Sequence, residues 1–194
     1  MRPSLKSALF FATSWIIIKL LLFQLNVLQE DIFWTGLINN FFLLAAIAVG
    51  LYFEKKREGF AQGSALSDIK NAMIAGAPYA LIVSVFMFFY YNDINPEFIE
   101  NREKERMDIV YQAMERDTYV DSLRQQNQDF NMLTKDEIYA SIKEETASAL
   151  SPKSLLTLSL LGLIVLGFTY SIFVMIIFRK VLLREHYNQR SDNS

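Results

Sequence analysis

Apolar residues in this chain fall in four long runs, with the charged residues gathered between them. The runs cover residues 8–28, 32–53, 69–91 and 155–178. Each is close to the ~20 residues that a helix needs to cross the hydrocarbon of a bilayer. The pattern predicts an all-α integral membrane protein, a single membrane domain over residues 1–194 with four transmembrane helices. A polar excursion, residues 92–153, separates the third span from the fourth.

Between the first two runs stand only Gln29, Glu30 and Asp31, a connection short enough to force an antiparallel helical hairpin. Arg2 and Lys6 precede an apolar stretch that is too long for a signal peptide and has no small-x-small site after it, so an uncleaved anchor is expected. Trp34 and Tyr52 suit the aromatic belts at the two membrane surfaces. After the second run, Gly59 and Gly63 break the helix, and Ser67 is the expected N-cap of the third.

The third run carries Ala72, Gly76, Ala80 and Ser84 at intervals of four, hence on one helix face. Small residues so spaced let a neighbouring helix approach closely, the main source of helix association in lipid. Pro78 removes a backbone donor and predicts a kink over residues 74–78. Ser151 followed by Pro152 is a strong start for the last span.

The excursion has its own periodicity. Met107, Val110, Tyr111 and Met114 share one face of a helix expected from about Glu97 to the region of Arg124. Thr134 and Glu137 form a capping box for a second helix that reaches Leu150. The reading is an extracytoplasmic helical hairpin. Its apolar stripes are narrow and marginal alone, so they should rest on each other, on the bilayer, on a second copy or on a partner protein.

Charge adds an orientation. The net charge of -2 conceals a strong segregation. Arg2 and Lys6, then Lys55, Lys56, Arg57 and Lys70, then Arg179, Lys180, Arg184 and Arg190 all fall on one side of a four-span chain. By the positive-inside rule both termini are cytoplasmic and the excursion faces out. The excursion holds fourteen acidic against eight basic residues. No basic stripe with interleaved aromatics speaks for nucleic acid.

Candidate chemistry is sparse. There is no cysteine, and the only histidine, His186, lies in the tail without metal-binding company. The four runs contain no Asp, Glu or His, so acid-base catalysis has no positioned pair to work with. Neither an enzyme nor a cofactor is expected. Lys19, past the middle of the first run, is the one charged residue deep within a run, Lys70 standing at the very start of the third, and such groups are functional candidates by default. Counted from the turn at Glu30, Lys19 lies at the depth of Asn39 and Asn40, giving a candidate intramembrane polar cluster. Lys55, Lys56 and Arg57 are placed to meet anionic lipid.

Three short segments carry a family likeness: INPEF (Ile94 to Phe98), LTKDEI (Leu133 to Ile138) and SPKSLL (Ser151 to Leu156). With the four-span layout, they resemble an uncharacterised, domain-of-unknown-function family of small four-helix bacterial membrane proteins. The resemblance implies a multi-pass protein of the bacterial inner membrane and no activity. The expected role is structural or accessory, with a protein partner or homo-oligomer at the acidic hairpin. The alternative is a subunit of an oligomeric channel or transporter.

Overall fold

The computed structural model of the protein describes residues 1–27, 31–60 and 63–182. Among them there are helices and no strands. Four helices are long and apolar enough to cross a membrane: α1 (Pro3–Gln24), α2 (Ile32–Glu58), α3 (Ala65–Phe89) and α7 (Pro152–Ile177). Between the last two come α4 (Pro96–Met114), α5 (Asp117–Gln126) and α6 (Lys135–Leu150). His186, Arg184, Arg190, Gln29 and Glu30 lie outside the described residues.

The chain divides into two compact units. One unit comprises Met1–Phe86 with Thr157–Ser194, and the other Met87–Leu156.

In the first unit the interior is rich in small residues, packed around Leu43, Ile47, Leu51 and Tyr79. Ala8, Ala12, Ala46, Ala72, Ala75 and Ala80 are completely buried, as are Ser4, Ser84 and Ser171. Large apolar side chains point outward instead, Phe10, Phe33, Phe41, Leu161 and Phe168 among them. Water would reverse that arrangement, whereas lipid is as apolar as Leu and gives it no reason to turn inward. The four residues spaced along α3, Ala72, Gly76, Ala80 and Ser84, are all buried.

Antiparallel pairing of α1 with α2 is fixed by short contacts. Ser7 Oγ donates to the Ala46 carbonyl at 2.9 Å, and the Phe11 and Phe42 rings meet edge to face with centroids 6.0 Å apart. Gly50 lies where helices crowd: a Cβ there would be 2.9 Å from Ala75 Cβ and 3.3 Å from Ser4 Cα. Trp15 joins α1 to α3 through Phe86, at 5.8 Å between centroids.

The spans are displaced from the apolar runs at several ends. α1 begins at Pro3, whose fixed φ suits the first turn. α2 runs on through the charged residues to Glu58, because the helix stops at Gly59, with φ at 94°, and not where the apolar run stops. The third helix starts at Ala65, and its cap is Ser64, whose Oγ accepts from Ser67 N at 3.2 Å. Ser67, the expected cap, is therefore inside the first turn. Asp31 caps α2 by accepting from Trp34 N at 3.0 Å. Pro78 stands inside α3, which continues through it.

The second unit is three helices and not a two-helix hairpin. The helix expected from Glu97 to Arg124 breaks at Arg116, whose backbone is extended, and restarts as α5. The break has a packing reason: it brings Val120 to the core formed by Met107, Val110, Met114, Phe130 and Ile138. A straight helix would carry the later apolar residues off that face. A 3-10 turn, Gln128–Met132, supplies Phe130. The capping box forms as expected, Thr134 Oγ1 accepting from Glu137 N at 3.3 Å while Glu137 accepts from Thr134 N at 2.8 Å. Donation from Thr134 N and from the Thr134 hydroxyl, each at 2.8 Å, holds the Glu137 carboxyl below its ordinary range, and Lys135, 2.6 Å from Asp117, does the same for the Asp117 carboxyl. Ser151 accepts from Ser154 N at 3.3 Å and opens α7 as predicted.

Candidate functional site

The residues of the candidate intramembrane cluster lie on α1 (Lys19) and α2 (Asn39 and Asn40). The register set by Ser7–Ala46 and Phe11–Phe42 carries Lys19 toward the level of Trp34, and Asn39 toward that of Ser14. The two levels are more than one helical turn apart. Lys19 is buried at 4% exposure. Asn39 is taken up by α3: Tyr79 donates to Asn39 Oδ1 at 2.7 Å and lies 3.2 Å from the Asn39 carbonyl. Asn40 is half-buried.

A different set of residues forms the densest polar arrangement of the first unit. Glu54 and Lys55 lie at the end of α2, Asp68 and Asn71 at the start of α3, and Ser4 at the start of α1, all buried. Lys55 and Arg179 hold the two oxygens of Asp68. The ammonium of Lys55 meets Oδ1, and Arg179 Nε donates to Oδ2 at 2.8 Å. The same guanidinium donates to the Gly63 carbonyl at 2.8 Å. Asp68 thus joins α2, the glycine-containing turn and the residues after α7.

Glu54 makes a second knot. Ser4 Oγ lies 3.2 Å from its Oε2 and 3.4 Å from the Gly50 carbonyl, while Arg57 pairs with its Oε1. Asn71 Nδ2 reaches Glu58 Oε2 at 3.4 Å. Three carboxylates, Glu54, Glu58 and Asp68, are met by Lys55, Arg57 and Arg179. Buried ions persist only when paired and hydrogen-bonded, and these are. The chemistry is that of a clasp. Among the described residues no group of His, Cys, Asp or Glu is arranged to hold a metal ion.

The apolar runs conceal this site, because they end where it begins. A periodic signal was nevertheless present. The face through Asp68, Asn71, Ala72, Ala75, Gly76 and Tyr79 is one continuous helical stripe, and its small-residue part leads back to Asp68. Arg179 carries no local signal, being 111 positions from its partner.

Beside the clasp, α1 and α2 leave an open groove of about 680 Å³. Its floor includes Phe10, Phe11 and Phe53, and its rim carries Lys6, Lys56 and Arg57. Lys6 and Lys56 are exposed and pair with no carboxylate among the described residues.

Four membrane-length helices and a helical insertion occupy nearly the whole chain, and one family description spans the same extent, residues 6–180. The chain belongs to a family of proteins of unknown function (DUF4199). No curated protein and no solved structure matches it. Membership covers all four spans, the clasp from Glu54 to Arg179 and the insertion. It agrees with the likeness carried by INPEF, LTKDEI and SPKSLL. The family brings no activity with it, so the reading of function rests on this chain's own geometry.

Proposed function

We propose that this family member is a non-enzymatic, structural or accessory protein of a bacterial cytoplasmic membrane. Both termini are cytoplasmic, and residues 92–153 stand outside as an acidic unit that contacts another protein. The observation that carries this reading is the use made of the buried carboxylates. Asp68 is consumed in ion pairs that join α2, α3 and the residues after α7, and Glu54 in a pair with Arg57 of its own helix and a bond from Ser4 of α1, which leaves neither as a general acid or base. The second unit closes its own core and still leaves Ile109 at 64% and Met132 at 95% exposure. Its acidic excess favours a partner with a basic surface. The orientation is supported by Arg2, Lys6, Lys56, Arg57, Arg179 and Lys180, all beside the same ends of the spans.

A chain without cysteine makes the orientation directly testable. Met132→Cys should react with an impermeant maleimide on intact cells, and Lys56→Cys only after permeabilisation. The opposite pattern overturns the topology. The partner reading is tested by pull-down from native membrane with the intact protein and with an Ile109→Asp/Met132→Asp variant. A protein lost only with the variant supports the contact; identical company for both forms removes it.

Buried Lys19 favours a second reading, a subunit of an oligomeric channel or transporter, since intramembrane cations mark ion pathways. A defined multimer with ion flux in liposomes, lost in Lys19→Met, would replace the accessory role.

A further inference from the structure

We propose that the groove between α1 and α2 is a binding site for an anionic phospholipid. One acyl chain would lie against Phe10, Phe11 and Phe53, and the phosphate would meet Lys6 and Lys56. The inference rests on the chain being embedded in a membrane and is independent of the partner reading.

Three observations carry it. The groove, at about 680 Å³, has the size of small-molecule sites. It is amphipathic in the sense a phospholipid requires, with phenylalanines toward the middle of the helices and cations at their ends. The helix positions follow from sequence: Lys6 and Lys56 are at the outer turns, while Phe10 and Phe53 lie one turn deeper on α1 and α2 respectively.

The third observation is charge complementarity. Two carboxylates flank the rim in sequence: Glu54 is 1% exposed and already held by Ser4 and Arg57, and Glu58 lies 3.8 Å from Arg57 and is reached by Asn71. Arg57 is therefore a shared cation that closes one side of the rim, with half its side chain exposed. Lys6 and Lys56 have no such carboxylate among the described residues. Lys55, expected from sequence to join them, is turned inward to Asp68 and belongs to the clasp. A zwitterionic phospholipid would fill the apolar floor equally well, but its own headgroup cation would offset the phosphate charge beside two ammonium groups, which is why the site should select a headgroup of net negative charge.

The test uses the full chain reconstituted in phosphatidylcholine nanodiscs doped with phosphatidylglycerol, extracted into mild detergent, with retained lipid measured by mass spectrometry. Wild type should retain phosphatidylglycerol in preference to phosphatidylcholine. Lys6→Gln/Lys56→Gln should lower that retention by roughly 25-fold, about fivefold for each cation removed. Val49→Trp, which fills the groove floor and keeps both lysines, should lower it as well. Lys70→Gln, an exposed cation outside the groove, should leave it unchanged.

Equal retention of the two lipids by wild type overturns the proposal. So does full retention by the double variant, or an equal fall with Lys70→Gln, which would mean a diffuse surface attraction. Excess inorganic phosphate should fail to displace the lipid; displacement would show a headgroup-only site and overturn the acyl-chain assignment.

Discussion

Replacing Asp68 with leucine will destabilise the four-helix unit by about 3–5 kcal/mol, the usual result of leaving a buried charge unpaired. Lys55 and Asp68 have side-chain exposures of 6% and 3%, so water screens neither partner. Without the carboxylate, the Lys55 ammonium loses its buried counter-charge inside the unit. Arg179 also loses its acceptor, but that side chain is 32% exposed and can turn to solvent. Unfolding of the detergent-solubilised protein can be followed by the fluorescence of Trp15, which is buried between α1 and α3.

The double variant Lys55→Met/Asp68→Leu makes the argument specific. With both charges gone, the desolvation cost of each disappears, and apolar replacement of a buried pair is often neutral. Most of the lost stability should return. A single variant within about 1 kcal/mol of wild type would mean that the pair behaves like an exposed one, and the clasp would then have no structural weight.

Gly50→Leu is the second large effect. Even the first carbon of a side chain would be 2.9 Å from Ala75 Cβ and 3.3 Å from the backbone of Ser4. Neither neighbour is the flexible end of a long side chain, so α1 and α3 must both retreat from α2. Overpacking of a well-packed interior costs about 1–3 kcal/mol, and a leucine here belongs at the upper end. The retreat would also lengthen the Ser4 contacts to Glu54 and the Gly50 carbonyl, which are already 3.2 and 3.4 Å.

Gly76 offers a graded comparison. A Cβ there meets Ile47 Cδ1 at 3.2 Å, the end of a side chain that can rotate, so Gly76→Ala should cost less than Gly50→Ala. Gly162→Ala meets nothing within 4 Å, and replacing an exposed helical glycine by alanine should gain about 0.5–1 kcal/mol. Thermal unfolding of the three alanine variants should rank them in that order. A Gly50 variant as stable as Gly162→Ala would refute the close crossing.

The comparison of residues shows where sequence reading succeeds. Ala72, Gly76, Ala80 and Ser84 could be assigned to a packing face because their spacing is local and periodic, and all four are buried. Thr134 and Glu137 could be paired because a capping box spans only four residues. The break at Arg116 was hidden, since nothing in the residues around it forbids a helix; the demand comes from Val120 reaching a core completed by Phe130 and Ile138. Helix register is set by side-chain contacts such as Ser7 with Ala46, which a count of residues from the turn does not contain. Asn39 meets Tyr79 on a third helix that the count did not include.

By itself, then, the sequence determined the solvent of this protein. Runs of ~20 apolar residues have no alternative to spanning a bilayer as helices, and small residues every fourth position determined which face of α3 turns inward. The tertiary structure alone decided what the charges at the ends of those helices do. Lys55 and Lys56 are adjacent in the chain and chemically identical, yet helical geometry turns one inward to Asp68 and the other outward to the groove rim. Successive helical residues point about 100° apart, so only the position of a third helix can say which lysine is a clasp and which faces the lipid surface.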